Sequence, residues 1–165
     1  MLASDDSDNH VRFLMTDTNM RHTVFTDYCL RVLIFTGARG ERLSTIDDIS
    51  KAYGISRNHL MKVVHRLGQE GYVETIRGRS GGIRLARAPE HINIGELISR
   101  VEEDFHLVEC FNEKQNHCVL MPACKLNPIL HEALEAYFSV LRQYRLSDLL
   151  CNRQALETLL YLRDI

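Results

Sequence analysis

The sequence predicts a mainly α-helical fold with a small β-hairpin wing: a winged helix-turn-helix followed by a long dimerisation helix. Three observations carry this. Short segments with apolar residues at helical spacing come first, a pair of period-two segments around a glycine-rich turn follows, and a long, broadly apolar helical stretch comes last. With 165 residues, 45% apolar and 25% charged, the chain has the composition of a soluble globular domain carrying an appendage.

Residues 1–19 carry Asp5, Asp6, Asp8 and Asp17 against a lone Arg12 and show no period, so they read as a disordered leader, with Met20 as an alternative start. The first helix begins near Thr26, places Leu30, Leu33 and Ile34 on one face, and is expected to end at Gly37. Thr45 can cap a second helix that buries Ile46, Ile49, Ala52 and Tyr53. Gly54 breaks that helix and Ser56 caps a third, with Leu60, Val63, Val64 and Leu67 as its apolar stripe. Tyr72–Ile76 and Ile83–Ala86 then alternate as strands joined by Arg77-Gly78-Arg79-Ser80-Gly81-Gly82, where three glycines permit a tight turn. Asn93 and Glu96 form a capping-box pattern for a fourth helix with Ile94, Leu97, Ile98 and Val101 inward.

Residues 104–121 lose periodicity. A long helix follows, with Leu126, Leu130, Leu134, Tyr137 and Leu141 on one stripe and Ile129, Ala133, Ala136 and Val140 beside it. Pro128 suits its first turn if Asn127 is the cap. Packing on one side cannot cover so wide an apolar arc, which points to a second copy of the chain. The tail from Ser147 ends in a short helix with Leu156, Leu159 and Leu160. The expected divisions are a leader (1–19), a winged helix-turn-helix (20–103), a cysteine loop (104–125), and a dimerisation helix with its tail (126–165).

Charge is unevenly placed. The net −2 divides into −3 over residues 1–50, +6 over 51–87 and −5 over 88–165. A basic block in an acidic chain suits a polyanion, and double-stranded DNA is the first candidate. On the third helix, Arg57, Asn58, Met61, Lys62 and His65 fall opposite the apolar stripe. Arg and Lys suit guanine O6 and N7, and Asn suits adenine N6 and N7, in the major groove. Ser56 and the helix N-terminus suit a phosphate, and His59 is a further DNA-binding candidate. Arg77, Arg79 and Ser80 ride the hairpin tip toward the minor groove. No apolar run approaches the ~18 residues of a membrane span, and the leader lacks a secretory signal, so a cytoplasmic protein is expected.

The cysteine spacing is Cys110-x7-Cys118-x5-Cys124, with no short pair of the kind that structural zinc sites use. Three thiols on a loop in a reducing compartment suit a soft metal or an iron–sulfur cluster. Cys29 and Cys151 fall in helical patterns and are expected to be buried or inert.

Phe25-Thr26-Asp27-Tyr28, Tyr53-Gly54-Ile55-Ser56-Arg57-Asn58-His59, Arg77-Gly78-Arg79-Ser80-Gly81-Gly82-Ile83-Arg84-Leu85 and Pro122-Ala123-Cys124-Lys125-Leu126 resemble the Rrf family of bacterial winged-helix regulators. Within that family the resemblance is to its nitric-oxide-sensitive repressors, from about Met20 to Leu150. The resemblance implies a homodimer crossing through its long helices on a palindromic operator. It also implies a 2Fe-2S or 4Fe-4S cluster on Cys110, Cys118 and Cys124 that nitric oxide attacks, so that residues 104–125 would be a cluster-binding loop. Asp27 of the partner subunit would supply the fourth ligand, with His117 as competitor. A family member that regulates cluster assembly carries a histidine three residues after its third cysteine, where this chain has Asn127. Iron-responsive members share the three cysteines, so an iron- or redox-responsive regulator remains an alternative, as does a winged-helix module with a structural metal. A thiol enzyme is disfavoured, because no cysteine pairs with a clear histidine base and there is no Cys-x-x-Cys.

Overall fold

A computed structural model describes residues 22–161 except 103, 113 and 115; the expected leader and Met20 lie outside the described residues. Helix α1 spans Val24–Arg39 and starts where the Thr23 hydroxyl accepts from the Thr26 N–H. It runs through Gly37, the expected stop, and ends at Gly40 in the left-handed region (φ 63°). Gly37 serves packing instead. A Cβ built there would come within 2.6 Å of Leu150 Cδ1, so its missing side chain admits the chain's C-terminal part.

Helix α2 (Ile46–Tyr53) opens on a full capping box, in which Asp48 N–H donates to the Thr45 hydroxyl and Thr45 N–H donates to the Asp48 carboxylate. Arg39 donates to the same carboxylate at 2.6 Å. These bonds hold the Asp48 carboxyl below its ordinary pKa although burial pushes the other way. Gly54 ends the helix in the left-handed region, and Ser56 caps helix α3 (Arg57–Gln69). The expected apolar stripe of α3 is the buried one: Leu60, Val63, Val64 and Leu67.

Strands β1 (Val73–Ile76) and β2 (Gly82–Leu85) pair antiparallel, with Thr75 opposite Ile83. One more bond, Ala86 N–H to Tyr72 O at 2.9 Å, carries the pairing to the ends read from the sequence. Ser44 and Ile83 exchange backbone bonds of 2.9 and 2.7 Å, which ties the hairpin to the segment before α2. Helix α4 (Ile94–Val101) buries Ile94, Leu97, Ile98 and Val101, and its N-cap Asn93 accepts from the Glu96 N–H.

Two single 3-10 turns, Glu109–Phe111 and Met121–Ala123, interrupt the cysteine loop. Helix α5 spans Leu126–Leu141, so Asn127 lies inside it rather than capping it; Pro128 still falls in the first turn, where its missing N–H costs nothing. After α5 the chain turns back. Leu146 N–H donates to Ile92 O (2.9 Å), Ile94 N–H donates to Tyr144 O (3.0 Å), and the Asn93 amide donates to Arg142 O. Short helix α6 (Leu146–Leu149) and helix α7 (Arg153–Tyr161) then lie against α1, where Arg153 Nε donates to Ala38 O at 2.8 Å. One core therefore contains Leu33 and Phe35 of α1, Leu60 of α3, Leu97 of α4, Phe138 of α5 and Leu146 of α6.

Candidate functional site

The exposed face of α3 carries Arg57, Asn58, His59, Met61, Lys62 and His65, opposite its fully buried stripe. Ser56, also exposed, sits at the N-terminus, where its hydroxyl accepts from the His59 N–H. Arg57 lies 2.8 Å from Asp47 of α2, an exposed pair that a stronger anion can exchange. The His59 ring stands 6.0 Å from that of Tyr28, which links the start of α3 to the residue after Asp27. Arg77, Arg79 and Ser80 occupy the exposed tip between the strands, where Gly78 adopts φ 119°. Gly81 closes the tip, since a Cβ there would stand 2.3 Å from Ile76 O.

The structure thins the basic block. Arg84 pairs with Glu74 across the strands. Arg87 donates to Gly71 O and Glu70 O (both 2.9 Å) and covers the Tyr72 ring. Arg66 donates to Arg100 O and pairs with Glu70. These three cations are engaged by neighbouring groups of the fold, although Arg87 is itself exposed; the α3 face and the wing tip carry further exposed cations, Arg57, Lys62, Arg77 and Arg79. Counting charges along the sequence could not separate the two groups.

Cys110, Cys118 and Cys124 are free, half-buried thiols, and the Asn127 amide reaches Cys110 Sγ at 3.2 Å. Phe111 stacks on His131 of α5 with centroids 4.0 Å apart. The donor chemistry suits a soft metal or cluster: three sulfurs on one loop, one already receiving an N–H of the kind that supports ligating thiolates. Among the described residues, no three His, Cys, Asp or Glu side chains are gathered as a metal-holding group. Asp27 is half-exposed in the first turn of α1 and accepts from Arg31 Nε at 2.8 Å. His117 is exposed, and its backbone N–H donates to Glu109. Cys29 is fully buried as expected, and burial pushes its pKa up to about 12. Cys151 departs from expectation: it is exposed in the turn before α7, because α6 stops at Leu149.

One network went unread in the sequence. Glu102, just after α4 and before the cysteine loop, accepts from the Thr23 N–H (2.9 Å) and hydroxyl (3.3 Å) and lies 3.4 Å from His22. His22 in turn bonds the Tyr137 hydroxyl of α5. The start of α1 and the end of α4 thus meet on one carboxylate, which His22 links to the middle of α5. No local pattern announces contacts between residues this far apart in the chain.

Among the described residues no helix is long and apolar enough to cross a membrane. Residues 22–152 match the Rrf2 family, described as an iron-dependent transcriptional regulator. The chain is 56% identical over 142 residues to the HTH-type transcriptional regulator NsrR of Bacillus licheniformis, covering 86% of this chain and 99% of that one. It is 54% identical over 146 residues to NsrR of Bacillus subtilis, covering 88% and 100%. Among solved structures it resembles T. potens IscR, with TM-score 0.64, 20% identity and coverage of 81% and 88%. It also resembles a putative transcriptional regulator from Listeria innocua, with TM-score 0.65, 27% identity and the same coverage. The relatives named here are regulators, not enzymes. With the winged helix, the two-stranded hairpin and this match over most of its length, the chain belongs to the Rrf2 family of transcriptional regulators.

Proposed function

We propose that the chain is a cytoplasmic repressor that binds a palindromic operator as a homodimer and senses nitric oxide through an iron–sulfur cluster. The observation that carries the DNA half is the exposed face of α3, where Arg57, Asn58, Lys62 and His65 stand in solvent, together with the exposed cationic wing tip. Arg57 and Lys62 would read guanine and Asn58 adenine, with His65 further along the same groove. Ser56 and His59 would hold a phosphate at the helix start, and Arg77, Arg79 and Ser80 would enter the minor groove.

The sensing half rests on the three loop thiols and on similarity to the relatives named NsrR. Cys110, Cys118 and Cys124 would hold the cluster, with Asp27 of the partner subunit as fourth ligand and His117 as competitor. When bound, the cluster would supply iron that nitric oxide can attack. The chain's own part is mechanical. A ligated loop is ordered, and an Asp27 contributed across the dimer ties the start of one α1 to the other protomer. That tie sets the separation of the two α3 helices, on which palindrome binding depends. Within its own helix Asp27 accepts from Arg31.

The test compares operator binding by anaerobically purified protein, by the same protein after nitric oxide, and by Cys118→Ala. Tight binding by the first alone supports the reading; equal affinity in all three removes the sensing role. A brown preparation indicates iron and sulfide, whereas a colourless one holding zinc would leave a structural metal. The iron-dependent description of the family favours a second reading, in which iron starvation without nitric oxide derepresses the target genes.

A further inference from the structure

Met61 stands out on the DNA-facing side of α3. Its side chain is 53% exposed, among Arg57, Asn58, Lys62 and His65. A single exposed apolar side chain is ordinary in itself; what sets Met61 apart is its surroundings. Beside it an open groove of about 570 Å³ runs between α3 and the hairpin, lined by Ile46, Val64, Thr75 and Ile83 along with Met61 and His65. Both elements that bound the groove carry exposed cations, Arg57 and Lys62 on α3 and Arg77 and Arg79 at the hairpin tip. An apolar protein partner would meet those cations at a cost, because they would lose solvent without gaining counter-charge. A nucleic-acid major groove offers the matching combination of phosphates outside and an apolar group within. Of the four bases only thymine presents such a group there, its C5-methyl.

We propose that Met61 is a specificity-determining residue that reads the C5-methyl of a thymine in each half-site, packing it at the mouth of this groove. The inference rests on the DNA-reading role of α3 and adds a contact that the polar residues cannot make. Arg57, Lys62 and Asn58 address acceptor and donor patterns, so they leave a thymine and a uracil in the same pair indistinguishable; a methyl contact separates the two. The long, unbranched thioether suits the task because it adapts to the height of the methyl without a fixed branch to clash.

The experiment selects a duplex from a random-sequence library with anaerobically purified full-length protein. Thymines of the selected duplex are then replaced by deoxyuridine, one symmetric pair at a time. Affinities are measured for the wild type, Met61→Ala and Met61→Leu. For the wild type, one symmetric position should cost about three- to fivefold per half-site, the value of one buried methyl. Met61→Ala should bind the thymine duplex more weakly and show no loss at that position, while Met61→Leu should restore part of the discrimination. Because Met61 is exposed, thermal unfolding should be the same for all three proteins. Equal sensitivity of wild type and Met61→Ala to deoxyuridine at every position would overturn the inference. So would a wild type indifferent to every replacement while still preferring its selected sequence, a result that leaves base reading by the polar residues intact. Failure to recover any preferred sequence would overturn both this contact and the DNA reading beneath it.

Discussion

Glu102 carries a charge inside the fold with its side chain only 3% exposed. Burial alone would raise its pKa, but the Thr23 N–H, the hydroxyls of Thr26 and Thr23, and His22 outweigh burial and hold the carboxyl below its ordinary value. A depressed folded-state pKa gives stability that is complete above the unfolded value and lost as pH falls through the folded one. Glu102→Gln should therefore destabilise cluster-free protein by about 1–3 kcal/mol near neutrality, with the gap to wild type closing below the carboxylate range. Melting temperatures across pH check this, and a gap independent of pH would mean the charge is not used. The two cysteines outside the loop make a second pair of residues with opposite fates. Iodoacetamide should label Cys151 in the folded chain and leave Cys29, whose thiol is pushed up to about 12, untouched until unfolding. Mass spectrometry of the labelled peptides reads the outcome, and equal labelling would mean α1 is not packed as described. The sequence treated both cysteines alike because helical spacing reports a pattern and not the end of the pattern: α6 stops two residues short of Cys151.

Among the elements, α3 and the hairpin are the ones proposed to read DNA, and the wing makes the sharper prediction. Replacing Arg77 and Arg79 together by Ala should weaken operator binding and flatten the slope of log K against log salt by about 3.6 for a dimer, since each of its four phosphate-neutralising cations contributes about 0.9. Filter binding or fluorescence anisotropy between 50 and 200 mM salt, approximately the span over which such contacts fade, measures both effects. An unchanged slope would place the tip away from DNA. Both elements were legible in the sequence for physical reasons: α3 buries one face and solvates the other, and the hairpin needs glycines where its turn closes. Gly37 was misread because a glycine inside a helix looks like a stop until the leucine that fills its notch is in view. The capping box at Thr45, half recognised from the threonine, is completed by Asp48, and the same carboxylate ties α2 to Arg39 of α1.

At the scale of the molecule, α5 has two apolar edges. Leu134, Tyr137, Phe138 and Leu141 pack onto the core, while Leu126, Ile129, Ala133, Ala136 and Val140 remain exposed at alternating spacings of three and four. That alternation is the spacing of a coiled-coil seam, and a second copy is the occupant proposed for it. Sedimentation should find a dimer at micromolar concentration, and Ile129→Glu should give monomers that bind an isolated half-site but lose the palindrome. A monomeric wild type would remove the two-fold arrangement altogether. The width of the apolar arc was legible in the sequence; the return of the tail was not, because the Asn93–Arg145 bridge and the Arg153–Ala38 bond join residues remote in the chain. That return has a consequence for biosynthesis. Gly37 and Ala38, near the end of α1, receive Leu150 and Arg153 from far along the chain. The core behind α3 is thus completed only when the ribosome has also made the loop with its three thiols and the helix with its exposed apolar edge. A nascent chain has no finished core behind α3 before those later parts exist.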